Sequence, residues 1–119
     1  MQRSFRLTRS EDFKRVRRDG KSYAHPLVVL IVLNNADNDQ APVRVGVTAG
    51  KSVGTAVYRN RTKRLLREAM RELLPSIASS LDLILIARPA LASASLAETH
   101  RALLNVLQRA KIFTPKHES

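Results

Sequence analysis

Cysteine is absent from this 119-residue chain, and with it go disulfide frameworks and thiolate metal sites. Nothing in the composition therefore calls for an oxidising compartment. Tryptophan is missing too, and three Phe and two Tyr are the whole aromatic content, too little to build the aromatic face of an interfacial membrane helix. The longest apolar run, Leu27 to Leu33, falls far short of the roughly 20 residues that span a bilayer. The opening Met-Gln-Arg-Ser-Phe-Arg has no apolar segment of a secretory signal, so a cytoplasmic location and no membrane partner are expected. Carboxylates are scarce as well, 10 Asp and Glu against 21 Lys and Arg. Those present make no pair suited to catalytic metal ions: Asp37 and Asp39 fall in a polar loop and Asp12 in a basic helix. The three histidines form no constellation. His25 precedes a proline, His117 is near the end, and His100, one turn after Leu96, reads as a buried, satisfied histidine on an apolar stripe. No catalytic residue and no metal site are expected on the protein.

What is present is positive charge, and it is concentrated. Residues 1–21 hold eight cations against three carboxylates, and residues 59–71 hold six against one, so these segments carry +10 of the net +11. Two dense segments point to two contact surfaces for a polyanion, with nucleic acid the leading candidate. From Arg59 to Arg71 the cations overlie a helical apolar pattern. At about 100° per residue, Arg59, Lys63, Arg67 and Arg71 form a row at i+4 spacing with Asn60 and Arg64 beside it, while Leu65, Leu66, Ala69, Met70 and Leu73 gather opposite. Like charges four apart repel by a few tenths of a kcal/mol per pair, a penalty that a phosphate backbone along the row would reverse. Arg61 projects on the other flank, toward Glu68 and Glu72, and is either a nucleic-acid contact or a structural ion-pair partner.

The pattern predicts one domain over residues 1–113 and a frayed tail over 114–119. An extended arm with Phe5 and Leu7 leads to a first helix, capped by Thr8 with Glu11 as a capping box or by Ser10. Phe13 and Val16 face inward, and Gly20 stands where a glycine ends a helix. Lys21 to Ala24 suggests a short strand, and Leu27 to Leu33 a strand covered on both faces. Residues 34–42 read as an exposed hairpin loop. Val43, Val45 and Val47 alternate with Arg44 and Gly46, the pattern of a strand with one face inward and the other open or against small residues. A Gly/Ser/Thr-rich link follows, with Thr55 as N-cap of the basic helix. Asp82 to Arg88 reads as a second buried strand stopped by Pro89. Ser95 and Glu98 form a capping box for a last helix whose stripe is Leu96, Leu103, Val106, Leu107 and Ala110. The class is α+β, helices packed on a mainly antiparallel sheet.

With these elements placed, Arg59-Asn60-Arg61-Thr62-Lys63-Arg64-Leu65-Leu66-Arg67 resembles the signature of the bacterial ribonuclease P protein component. The likeness extends to Phe5-Arg6-Leu7, Glu11-Asp12-Phe13, Gly20, the Leu27 to Leu33 strand, Arg44-Val45-Gly46-Val47, Lys51 with Val53-Gly54, Ala56-Val57 and Asp82 to Arg88. The resemblance implies a four-stranded, mostly antiparallel sheet with three helices, ribosomal protein S5 domain 2-like, with a left-handed βαβ crossover; the general rule would give the right-handed connection. It also implies a protein cofactor of a ribonucleoprotein endoribonuclease, one protein per catalytic RNA, in which the RNA removes the 5′ leader of precursor tRNA. Magnesium would be held mainly by RNA phosphates. Arg59, Asn60, Arg61, Lys63, Arg64 and Arg67, with Arg71 at the end of the row, would bind the catalytic RNA. A cleft between the first helix and the sheet would hold the leader, with Phe13, Arg17, Ile31 and Lys51 as its residues.

Several positions depart from the family pattern. Arg17 stands where a second aromatic is frequent, Ile31 where an aromatic is common, and Gly50-Lys51-Ser52 where Ser-Lys-Lys is frequent. Leader binding in this chain should therefore lean on charge and shape more than on base stacking. Phe13 has a competing role as core packing, and Phe5 divides between strand packing and the cleft. A ribosomal or assembly protein of the same fold would need the basic helix but no cleft lined by Phe13, Ile31 and Lys51. Generic DNA binding would lay the helix in a major groove, whereas a row of long cations along the whole helix suits phosphates better than base edges.

Overall fold

The apolar run at 27–33 forms the strand expected of it, and its alternate residues feed two separate cores. The computed structural model describes residues 6–34, 42–78 and 80–113; Phe5, Asp37, Asp39, His117, the 34–42 loop beyond its ends and the 114–119 tail lie outside them. Along the chain come α1 (Ser10–Asp19), β1 (Lys21–Ala24), β2 (Val28–Asn34), β3 (Arg44–Ala49), α2 (Ala56–Leu73), β4 (Leu81–Ala87) and α3 (Leu96–Arg109), with 3₁₀ turns at Lys51–Val53, Leu74–Ser76 and Pro89–Ser93. The sheet order is β1-β2-β4-β3. β2 pairs antiparallel with β1 and with β4, while β3 pairs parallel with β4, so β3, α2 and β4 make a βαβ unit. The class is α+β with three helices on a four-stranded sheet. No helix among the described residues is long and apolar enough to cross a membrane.

Side chains alternate across the sheet. Val28 and Leu30 of β2, Val45 of β3 and Leu83 and Leu85 of β4 face α2 and α3, where Leu66, Met70, Leu103, Val106 and Leu107 complete the larger core. Among the described residues the opposite face is covered by α1 and by Leu7 of the segment before it. Leu7, Val16, Ile31 and Ile84 form its small buried cluster, with Phe13, Val29, Leu33 and Ile86 only half buried. One ten-residue helix, about 15 Å long, cannot roof a four-stranded sheet, and the rest of that face stays open.

Helix ends show where local rules held and where they did not. The Ser95/Glu98 capping box is present in both directions, and the Ser95 backbone and hydroxyl bonds hold the Glu98 carboxyl below its ordinary range. α1 begins after Arg9 with no side-chain cap, so neither Thr8 nor Ser10 does the capping; Ser10 is already helical. Thr55 occupies the N-cap of α2 but its hydroxyl makes no capping bond. Gly20 ends α1 in an extended conformation, φ −81°, so left-handed freedom is not its role. A Cβ there would lie 2.5 Å from the Val16 carbonyl oxygen, 2.7 Å from Ile31 Cγ2 and 2.9 Å from the Val32 carbonyl oxygen. Close approach of helix to strand requires the glycine. In α3, Leu96 is 44% exposed, and the buried stripe runs instead through Thr99, Ala102, Leu103, Val106 and Leu107. His100 is half buried at the rim, 3.6 Å from Glu72 Oε2.

Candidate nucleic-acid interface

A row at strict i+4 spacing advances 40° per step around a 3.6-residue helix, so the cations of α2 wind from the core boundary into solvent. Arg59 is half buried, with Nε out of water and without a hydrogen-bond partner among the described residues. Lys63 and Arg67 are half exposed, and Asn60, Arg64 and Arg71 are exposed. Arg71 pairs with Glu68, which partly offsets its charge. Arg61 does project on the other flank, but its guanidinium meets no carboxylate among the described residues. It donates to the carbonyls of Ala92, at 2.6 Å, and Ala94, at 3.1 Å, and so secures the end of the 3₁₀ turn before α3. The free cationic face is therefore Lys63, Arg64 and Arg67, with Arg71 and Asn60 at its margins.

Beside Arg67 lies the edge strand. The segment before α1 runs along β3, with Arg6 bridged to Val45 and the Leu7 amide donating to the Val45 carbonyl at 2.9 Å. Phe13 reaches down onto this edge. A Cβ at Gly46 would sit 2.4 Å from Phe13 Cζ, so the ring rests directly on the glycine backbone and stays half exposed. Arg6, Thr8, Phe13, Val47 and Arg67 share a depression of about 220 Å³. Of the four residues expected in a leader cleft, Phe13 lines this depression. Arg17, one helical turn later on the same flank of α1, is exposed. Lys51 is exposed in the 3₁₀ turn beyond β3. Ile31 is not brought to the surface: at 6% exposure it packs beneath α1 with Val16 and Ile84.

The register explains that separation. Ile31, Ile84 and Gly46 are cross-strand partners and lie under α1. The next row toward the Lys51 turn, Val29, Ile86 and Thr48, is half exposed, on the flank of α1 that carries Phe13 and Arg17. The open sheet face is thus one register step from the position the sequence suggested.

A family model described as Ribonuclease P matches residues 1–111. The chain belongs to the ribonuclease P protein family. The ribonuclease P protein component of Brevibacillus brevis is 40% identical over 94% of this chain and 87% of its own length. The Staphylococcus aureus RNase P protein superposes with a TM-score of 0.81 at 32% identity, covering 92% of this chain and 98% of that one. The RNase P protein from Thermotoga maritima gives a TM-score of 0.76 at 29% identity over 87% of this chain and 96% of that one.

In this ribonuclease P protein, Asp82 and Asp12 are engaged structurally. Asp82, with its side chain 1% exposed, accepts from Arg44 Nε at 3.0 Å and Nη2 at 2.9 Å, and from Arg15 Nη2 at 2.5 Å. Arg15 also reaches Asp12 at 3.2 Å, and Arg44 lies 3.6 Å from Asp12. Burial pushes the Asp82 carboxyl up, and the hydrogen bonds from Arg44 and Arg15 overcome it, leaving the carboxyl below its usual range. This network pins α1 to β3 and β4 and thereby fixes the flank that bears Phe13. Among the described residues no three His, Asp or Glu side chains gather as a metal site. Sequence reasoning missed Thr48, Val29 and Ile86 as open-face residues and Arg6 as a depression residue; the alternation along β2 and β4 carried the signal, but only the strand register could rank its positions.

Proposed function

We propose that this chain is the RNA-binding protein subunit of ribonuclease P, holding the catalytic RNA along α2 and the 5′ leader of precursor tRNA on the open face beside Phe13. The observation that carries this is the shared depression: Arg67 of the cationic helix and Phe13 of α1 line the same hollow, so an RNA on the helix and a single strand on the sheet would be adjacent. Phosphate neutralisation by Lys63, Arg64 and Arg67 would favour association, while the half-exposed row of Thr48, Val29 and Ile86, with exposed Arg17 on the same flank of α1 as Phe13, suits an extended single strand. A purely structural role in a ribosome or assembly particle would use the helix and leave the depression idle.

The chemistry is assigned to the RNA subunit, one protein per RNA. The described carboxylates do not fit a magnesium site: Asp12 and Asp82 are tied to arginines, Asp19 to Arg18, Glu68 to Arg71 and Glu98 to its own cap, while Glu11 and Glu72 are exposed and belong to no cluster of three acidic or histidine side chains. Magnesium would be held by RNA phosphates, and the protein's cations would lower the ion concentration needed to gather them. The test is cleavage of precursor tRNA by a bacterial ribonuclease P RNA across a magnesium titration. Adding this protein should move half-maximal cleavage to lower magnesium, and protein free of RNA should cut nothing. Cleavage by RNA-free protein, or an unshifted titration, would overturn the proposal.

A further inference from the structure

Three large apolar side chains stand exposed among the described residues, and two of them are consecutive: Val57 at 74% and Tyr58 at 51%. They occupy the first turn of α2, directly before Arg59. Tyr58 is held from behind. Its Cβ, Cγ and Cδ2 lie against Gly54, where a Cβ would come within 3.3–3.6 Å of them. Gly54 adopts φ +134°, a conformation that side-chain-bearing residues rarely take. The turn thus offers bare backbone as a floor for one side of the ring, and the other side faces water. A chain with two tyrosines and no tryptophan spends one of its few rings here, and leaves it half exposed.

We infer that Tyr58 is a stacking platform for an unpaired base of the catalytic RNA, with Val57 as its apolar shoulder. The inference rests on the ribonuclease P function proposed above. The surroundings decide the occupant: Arg59 follows the ring directly in sequence, and Lys51 is exposed in the turn that backs it, where the Gly54 amide donates to the Lys51 carbonyl at 3.1 Å, so an approaching apolar protein surface would have to desolvate these cations, whereas a nucleotide brings a phosphate to them and a π-face to the ring. The site is distinct from the depression at Phe13. Arg67, which lines that depression, is nine residues further along the helix, roughly 13 Å away.

The experiment measures binding to a bacterial ribonuclease P RNA transcript over a salt series for wild type, Tyr58→Phe, Tyr58→Leu and Tyr58→Ala, with thermal unfolding run on each. Wild type and Tyr58→Phe should bind within about twofold of each other. Tyr58→Ala and Tyr58→Leu should weaken binding by roughly 5- to 100-fold, the range for removing one base stack, with an unchanged salt slope because every phosphate keeps its cation. In a Tyr23→Phe background the remaining tyrosine fluorescence should be quenched on RNA binding. Equal affinity for Tyr58→Ala, full retention by Tyr58→Leu, or unquenched fluorescence would overturn the stacking assignment while leaving the proposed function intact. If the wild type failed to bind the RNA at all, both would fall together.

Discussion

Asp82 illustrates how one buried carboxylate can organise a surface it never touches. It sits on the α1 side of β4, takes both arginines through charge-assisted hydrogen bonds, and so sets the tilt of the helix carrying Phe13. Its substitution by Asn should destabilise the fold by about 3 kcal/mol or less, since Arg15 and Arg44 retain partial access to water. The pH dependence has a definite sign. A carboxyl whose folded pKa lies below its unfolded value contributes stability that is complete above the unfolded pKa, about 4, and that fades as pH falls through the lowered folded value. Wild type should therefore lose stability between about pH 5 and pH 2 more steeply than Asp82→Asn, as read by denaturant unfolding at each pH. Identical acid limbs would place the depressed titration elsewhere. The opposite lesson comes from Gly46 and Gly20: both are needed for space rather than for backbone freedom, a requirement that no sequence pattern expresses because it depends on which ring or strand arrives overhead.

At the scale of elements, α2 separates into two functions along one helix. Lys63, Arg64 and Arg67 face outward, whereas Arg61 is committed to the carbonyls of Ala92 and Ala94. Arg64→Ala/Arg67→Ala should reduce the log–log salt slope of RNA binding by roughly 0.7 to 0.9 for each phosphate no longer neutralised, with little change in thermal unfolding. Arg61→Ala should do the reverse, lowering the unfolding midpoint with the slope nearly unchanged. A slope unaltered in the double variant would leave those arginines as solvated surface. The helix itself was legible in its periodicity, as were β2, β4 and the Ser95 cap, because each is specified within a dozen residues. Arg61's partner was not, since Glu68 and Glu72 lay nearer in sequence than two carbonyls on a turn some thirty residues away. Leu96 misled for a related reason: its spacing fits the α3 stripe, but it occupies the first turn, where it borders open hollows along α2 beside Leu65, Glu68 and Ala69 and stays 44% exposed.

For the whole molecule, unequal roofing of the sheet is the feature that function would use. Two helices cover one face and α1 roofs only part of the other, so the half-exposed row of Val29, Ile86 and Thr48 comes from coverage and not from any local motif. The leader-binding role assigned to that face predicts that precursor tRNA with a leader of several nucleotides binds the holoenzyme more tightly than tRNA without one. Phe13→Ala should reduce that increment, and Lys51→Ala/Arg17→Ala should reduce it more at low salt than at high salt. If the leader adds nothing in wild type, or neither variant changes what it adds, Phe13 serves only as packing on Gly46.

The strand order also dictates how the chain can come together during synthesis. β2 and β3 both pair with β4 and not with each other, so the hairpin of β1 and β2 can close early, while β3 waits for a strand that begins 32 residues after its own last residue. Until Leu81–Ala87 emerges, the backbone N–H and C=O groups that β2 and β3 turn toward it have no partner in the sheet, and the larger core has no floor. Parallel pairing across such a loop is a late, non-local step. Completion of the sheet therefore waits on β4, and a nascent chain halted before it would present two unpaired strand edges and a cationic helix to whatever lies nearby.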